Sequence, residues 1–339
     1  MVRGFREVGT PTLVGLRRLL DWEDAVADRV VVALGGNAIA PPGEGVTAEQ
    51  EEETIRAAMT AIADLIVEGW NLVLTHGNGP QVGQLMVQNE IAAAFVPPMP
   101  LHWCVAQTQA TIGYAICNTL EYALAQRGSD LSVVPIISRV LVAADDPGFT
   151  APSKPIGGYL TDPAEARRRM EATGQTWGDF GARGWRRVVP SPDPVALLDG
   201  YTLGMLLDAG AVVVVNGGGG IPMVRSADGL LRGVEAVIDK DLSAALVGRH
   251  IGARDLVILT DVEAVALRFG TPEQRWIGEI SAADLRALQS EGHFGAGSMG
   301  PKVEAALRFV EATGGRATIA ALEDITAAVQ GRVGTRVSP

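Results

Sequence analysis

The 339-residue chain is short of lysine. Of its 28 basic residues only Lys154, Lys240 and Lys302 are lysines, and the other 25 are arginines. Cysteine is scarce too: Cys104 and Cys117 show no metal-ligand spacing, and two cysteines do not make a disulfide scaffold, which fits a reduced, cytoplasmic setting. No apolar run approaches the roughly 18 residues of a membrane span, so no membrane partner is expected. The first 28 residues, ending "GLRRLLDWEDAVAD", lack the apolar core and small-residue cleavage site of a signal peptide. They read as an N-terminal extension with a short amphipathic helix. Positive charge is in deficit overall. A net charge of −11 denies the chain the basic face that nucleic-acid binding requires, and any phosphate ligand must be held by a local positive pocket.

What is present points to a globular enzyme. With 47% hydrophobic and 20% charged residues the chain is not disordered, and its length allows two lobes or one large α/β unit. Short β-branched runs recur: "RVVVAL" (Arg29–Leu34), "NLVLTH" (Asn71–His76), "LSVVPII" (Leu131–Ile137), "AVVVVN" (Ala211–Asn216), "DLVILTD" (Asp255–Asp261) and "RATIAAL" (Arg316–Leu322). Most do not alternate, which predicts strands buried on both faces of a largely parallel sheet. Helical stretches at Ala48–Glu68, Val105–Arg127 and Lys302–Glu311 lie between them, so helices should cover both faces. Asp145 to Pro194 breaks the pattern, being rich in Pro, Gly and Trp. A segment this long is either a surface insertion or a functional lid that carries Lys154 to a site.

Three glycine loops follow predicted strands. "LGGNAIA" (Leu34–Ala40) lets backbone amides approach an anion, although Gly-Gly-Asn alone reads as a tight strand-to-helix turn. "THGNGPQVG" (Thr75–Gly83) repeats the arrangement, and ligands in open α/β sheets bind beyond the carboxyl ends of strands. His76 reads as a structural histidine anchoring that turn rather than as a base. "VNGGGGIPM" (Val215–Met223) fails the dinucleotide fingerprint, because Pro222 follows at once and no helix opens there. "GAGSMGPK" (Gly295–Lys302) is not a Walker motif, since Pro301 separates glycine from lysine. It still places Lys302 at a helix start, where dipole and ammonium together favour phosphate.

The stretch "GVEAVIDKDLSAALVG" (Gly233–Gly248) sets Lys240 between two aspartates. Arginine offers a planar fork, whereas lysine offers a compact charge whose three donors follow one moving oxygen. Phosphoryl transfer is mostly positioning and charge neutralisation. In a chain that otherwise uses arginine, the lysines are the best catalytic candidates, against the alternative of three stray surface residues. Asp239 reads as the cap of a helix starting at Lys240, and Asp241 as the group that holds a lysine ammonium.

Taken in order, "VVALGGNAI", "THGNGPQVG", "PSKPIG", "GGGGIP", "GVEAVIDKDLSAAL", "ILTDV" and "GHFGAGSMGPKVEAALRFVE" resemble the amino-acid kinase family, and within it the carbamate kinases. The similarity runs from about Arg29 to Val337. The resemblance implies a three-layer α/β/α sandwich with a mainly parallel central sheet, in two lobes. Residues 29–215 would hold carbamoyl phosphate and carry a small protruding subdomain, 145–194; residues 216–339 would hold the nucleotide. The implied reaction is reversible phosphoryl transfer between carbamoyl phosphate and MgADP, giving ATP and carbamate. Gly35, Gly36, Asn37, Gly77, Asn78 and Gly79 would bind carbamoyl phosphate. Gly218, Gly219, Thr260, Asp261, Val262, Ser298, Met299 and Lys302 would bind nucleotide. Lys240 and Lys302 would neutralise charge, with Asp241 orienting them, and Lys154 would supply a further charge from the protruding subdomain. Mg2+ would arrive on the nucleotide rather than at a protein metal site, and the family implies a homodimer. Many family members carry a lysine just before the first Leu-Gly-Gly; here that residue is Ala33, an absence that carbamate kinases share. The competing readings are another small-carboxylate kinase, such as one acting on acetylglutamate, and a non-catalytic sensor. A sensor would be expected to have lost a lysine or Asp241, and neither is lost.

Overall fold

A computed structural model describes residues 29–41, 45–295 and 299–339. The expected extension, 1–28, and Ser298 lie outside the described residues. An eight-stranded sheet forms the centre. Its strands are β1 (Arg29–Leu34), β2 (Asn71–His76), β3 (Val133–Pro135), β4 (Val212–Val214), β5 (Asp255–Thr260), β6 (Glu279–Ser281), β7 (Arg316–Ala321) and β8 (Thr335–Ser338), in the order β6-β8-β7-β5-β1-β2-β4-β3. All neighbouring pairs are parallel except β7–β8. β1 pairs with both β2 and β5, so the two glycine loops of β1 and β2 and the Thr260–Asp261 corner emerge side by side.

The helices are α1 (Ala48–Val67), α2 (Gly79–Ala92), α3 (Leu101–Ala125), α4 (Pro163–Thr173), α5 (Gly200–Asp208), α6 (Lys240–His250), α7 (Ala282–Ser290), α8 (Met299–Thr313) and α9 (Ile325–Val329). Strand β1 shows why its sequence does not alternate. Val30, Val32 and Leu34 pack with Met59 and Ile62 of α1 and Ile112 and Ile116 of α3, while Val31 and Ala33 pack with Val247 of α6 and Phe309 of α8. Both faces are covered, so both sets of side chains must be apolar. The result is the expected three-layer sandwich. Helix α1 begins at a reciprocal cap, in which Thr47 and Gln50 each accept from the other's backbone N–H, as a helix opening in solvent requires.

The segment 145–194 is folded. Lys154–Leu160, Trp185–Val189 and Thr176–Asp179 form an antiparallel three-stranded sheet, backed by α4. Ile156 and Val189 join Val82 and Met86 of α2 and Leu101 of α3 in a separate apolar cluster, which seats this subdomain on the body. Gly83 of α2 faces the backbone of Gly157 there.

Candidate active site

A cleft of about 630 Å³ opens beyond the carboxyl ends of β1, β2 and β5. Gly35, Gly36, Asn37, Gly77, Asn78, Gly79, Lys154, Gly218, Asp241, Lys240, Thr260, Asp261, Val262, Met299 and Lys302 all line it. The loops are built for close approach. A β-carbon on Gly35 would stand 2.8 Å from the Leu259 carbonyl oxygen, and one on Gly77 would lie in ordinary contact range of the Lys240 stem and the Gly36 amide nitrogen. The first two loops and Lys240 therefore meet at one place.

Gly218 and Gly219 take a different position from the other residues expected on the nucleotide side. Gly218, at φ 64°, lies so close to Asn78 that a β-carbon would collide with its side chain. Gly219 is not among the residues lining the cleft; it packs behind it against the Ile238 carbonyl. The loop is held by a buried polar network. Gln109 of α3 donates to the Gly217 and Ser138 carbonyls and accepts from the Ser138 amide, and Asn216, at φ 52°, donates to Ser243 of α6 at 2.8 Å. Asparagine tolerates that left-handed backbone better than most residues do. Nothing in the spacing of Gln109 or Ser138 announced this role.

The charges are concentrated at the start of α6. Asp239 caps the helix by accepting from the Asp241 amide at 2.9 Å, and its other oxygen accepts from Lys154 Nζ at 2.6 Å. Asp241 accepts from Lys240 Nζ through one oxygen and from Lys302 Nζ through the other, the latter at 2.9 Å. Burial raises the cost of the Asp241 charge, but Lys240 and Lys302 outweigh it and hold the carboxyl well below the usual carboxylate range. Burial pulls Lys302 down, and Asp241 more than offsets it, so Lys302 is raised and remains an ammonium. The three lysines that the chain keeps thus converge on the two aspartates that flank Lys240.

His76 is buried, donates from Nδ1 to the Gly77 carbonyl at 2.8 Å and packs its far edge on Gly217. Burial lowers it to about 4, so at neutral pH it is an uncharged anchor of the turn. Thr260 donates to Asp261 at 3.0 Å at the end of β5. Phe269, His293 and Phe294 also line the cleft; the last two stand in the quoted "GHFGAGSMGPK" stretch, where the sequence alone assigned them no role.

Residues 28–321 match the model of the amino acid kinase family. The chain is 42% identical over 313 residues to a carbamate kinase of Pyrococcus furiosus, covering 92% of this chain and 99% of that one. It is 40% identical to a carbamate kinase-like protein of Escherichia coli, over 91% of this chain and 99% of the relative. The fold superposes on a carbamate kinase from Giardia lamblia bound to AMP-PNP with a TM-score of 0.85 at 36% identity, covering 93% of this chain and 99% of that one.

Proposed function

The chain belongs to the amino acid kinase family, and from that premise we propose that it transfers a phosphoryl group reversibly between carbamoyl phosphate and MgADP, giving ATP and carbamate. The observation that carries the reading is the Lys240–Asp241–Lys302 clamp beside Lys154, set where two glycine loops present their amides. Three lysines face three aspartates, Asp239, Asp241 and Asp261, in the cleft, so basic residues there match the acidic ones inside a chain of net charge −11.

In this scheme Gly35, Gly36 and Asn37 face the transferring phosphoryl group, and Gly77, Asn78 and Gly79 hold the carbamate end. Carbamate is already an anionic nucleophile, so no general base is required, in keeping with a neutral, buried His76. Lys240 and Lys302, aimed by Asp241, neutralise charge on the phosphoryl oxygens, the main catalytic task in such transfers. Thr260, Asp261, Val262 and Met299 serve the nucleotide, and the division into lobes at 215/216 follows this separation of roles.

Mg2+ would enter on the nucleotide. Among the described residues no group of three or more His, Cys, Asp or Glu side chains is placed to hold a metal. Asp239 and Asp241 are occupied by lysines, which leaves Asp261, partnered by the Thr260 hydroxyl, as the carboxylate suited to a phosphate-held ion. A cytoplasmic homodimer completes the reading. No described helix is long and apolar enough to cross a membrane, and α3 leaves Trp103 and Tyr114 exposed for a second copy.

The test is a coupled assay of ATP formation from carbamoyl phosphate and MgADP, run alongside acetylglutamate and aspartate with ATP. Robust turnover with the first pair and little with the others is expected. Phosphorylation of an amino acid without any of carbamate would replace this reading with a sister activity.

A further inference from the structure

We propose that Asp239 is a positioning residue for the transfer: it holds Lys154, and with it the inner edge of the 145–194 subdomain, against the amino end of α6. The proposal rests on the activity assigned above and adds a residue to its machinery. A helix cap alone does not need a carboxylate here, because serine and asparagine cap about as well as aspartate. Asp239 spends one oxygen on the cap, accepting from the Asp241 amide at 2.9 Å and from the Leu242 amide at 3.4 Å. Its other oxygen receives Lys154 Nζ at 2.6 Å, from 85 residues earlier in the chain. The two side chains are 10% and 35% exposed, so the pair is partly shielded from water on the carboxylate side.

The geometry makes one carboxylate a joint between the subdomain and α6. Lys154 is the first residue of its strand and pairs with Val189, while the Pro190 carbonyl just beyond accepts from the Val237 amide at 3.0 Å. Both ends of the subdomain thus meet the segment 237–239. On its outer side the subdomain is tied to α2 by Arg169 and Glu90 at 2.8 Å, away from the cleft. Of these ties it is the Lys154–Asp239 pair that lines the cleft together with Lys240, Asp241 and Lys302. Asp241 already serves two ammonium groups, so without Asp239 a third would join them uncompensated. Holding Lys154 in place before the phosphoryl group arrives removes an ordering cost from binding.

Asp239→Asn separates the two jobs, since an amide oxygen still caps α6 while the charge is gone. We expect the KM for carbamoyl phosphate to rise about tenfold while kcat falls less than about threefold, because a bound anion draws Lys154 in once substrate saturates. Thermal stability should hold, whereas Asp239→Ala, which loses the cap as well, should melt lower. In a Lys154→Ala background, Asp239→Asn should have no further effect on KM. Equal losses in both backgrounds would show that Asp239 acts through α6 and would overturn the proposal. A second readout needs no turnover: amide hydrogen exchange across 154–189, without substrates, should quicken in Asp239→Asn. Unchanged exchange would also overturn it. If the wild-type protein made no ATP from carbamoyl phosphate, the assigned activity would fail while exchange still decided whether Asp239 holds the subdomain.

Discussion

Two charge clusters in this chain follow one plan: an aspartate bound by the basic residue just before it and by another 61 positions later. In the cleft, Asp241 binds Lys240 and Lys302. At the opposite edge of the sheet, Asp255 binds Arg254 and Arg316, where β5 and β7 begin. The lysines are 16% and 13% exposed; the arginines are 41% and 46% exposed. Arg316 grips both Asp255 oxygens, at 2.9 and 3.2 Å, through Nε and Nη2, which fixes the plane of its fork on that carboxylate. An ammonium that gives one proton to Asp241 keeps two for a ligand. The chain uses arginine where a strand end is to be fastened and lysine where a donor must stay available.

The sharpest way to break this comparison is to exchange the cations in the cleft. Lys240→Arg and Lys302→Arg preserve charge but place a longer fork on Asp241. A misplacement of about 1 Å can cost on the order of 100-fold in rate. Each variant should lose about that much kcat while calorimetric ADP affinity changes little, the pattern of contacts made mainly in the transition state. Near-normal turnover in both would mean that the two clusters are interchangeable and that lysine is retained there for no catalytic reason.

Much of this was legible beforehand, for identifiable reasons. β1 and β2 were bounded correctly because strands buried on both faces leave continuous apolar runs. β6 and β8 were missed, being only three and four residues long with polar neighbours. The subdomain read as an irregular segment because its strands are broken by Gly157 and Gly158 and its register shifts between Ile156 and Tyr159. Asp239 was recognised as a cap, which is a local matter. Its grip on Lys154 spans 85 residues, and no spacing rule reports a contact made by tertiary packing. The packing of Ile156 and Val189 on α2 also bears on the subdomain: excising 152–194 would bare an apolar cluster, so Lys154→Ala is the cleaner probe of its catalytic part.

A smaller effect separates the groups held charged from the one held neutral. His76 carries no counter-ion, and its folded value of about 4 lies below the ordinary 6.5. The unfolded chain therefore binds a proton that the folded chain refuses, and stability falls as pH drops from 6.5 toward 4. By pH 5.5 the loss relative to neutral pH should be about 1 kcal/mol. Asp241 works in a lower window, because its depressed value keeps its contribution intact until pH falls below the ordinary carboxylate range near 3.8. Denaturant melts at pH 7.5 and 5.5 should show the loss in the wild type and a flatter profile in His76→Asn. A slope that survives the substitution would assign it to another group.

The smallest expected effect lies at the arginine cluster. Arg316→Lys leaves one ammonium to reach one oxygen of Asp255, while Arg254 continues to hold the carboxylate at 2.7 Å. Both arginine side chains are more than 40% exposed, so water and salt already screen much of the attraction. The cost should stay below about 0.5 kcal/mol, a shift in Tm of at most a few degrees, with kcat unchanged. Urea melts and the ATP-forming assay on this variant, run beside Lys302→Arg, place the two exchanges on one scale. The sheet supplies the way this expectation fails. Asp255 and Thr260 are the two ends of β5, and Thr260 and Asp261 line the cleft. A fall in kcat on Arg316→Lys with stability intact would show that the fastening at one end of β5 sets the position of the nucleotide corner at the other.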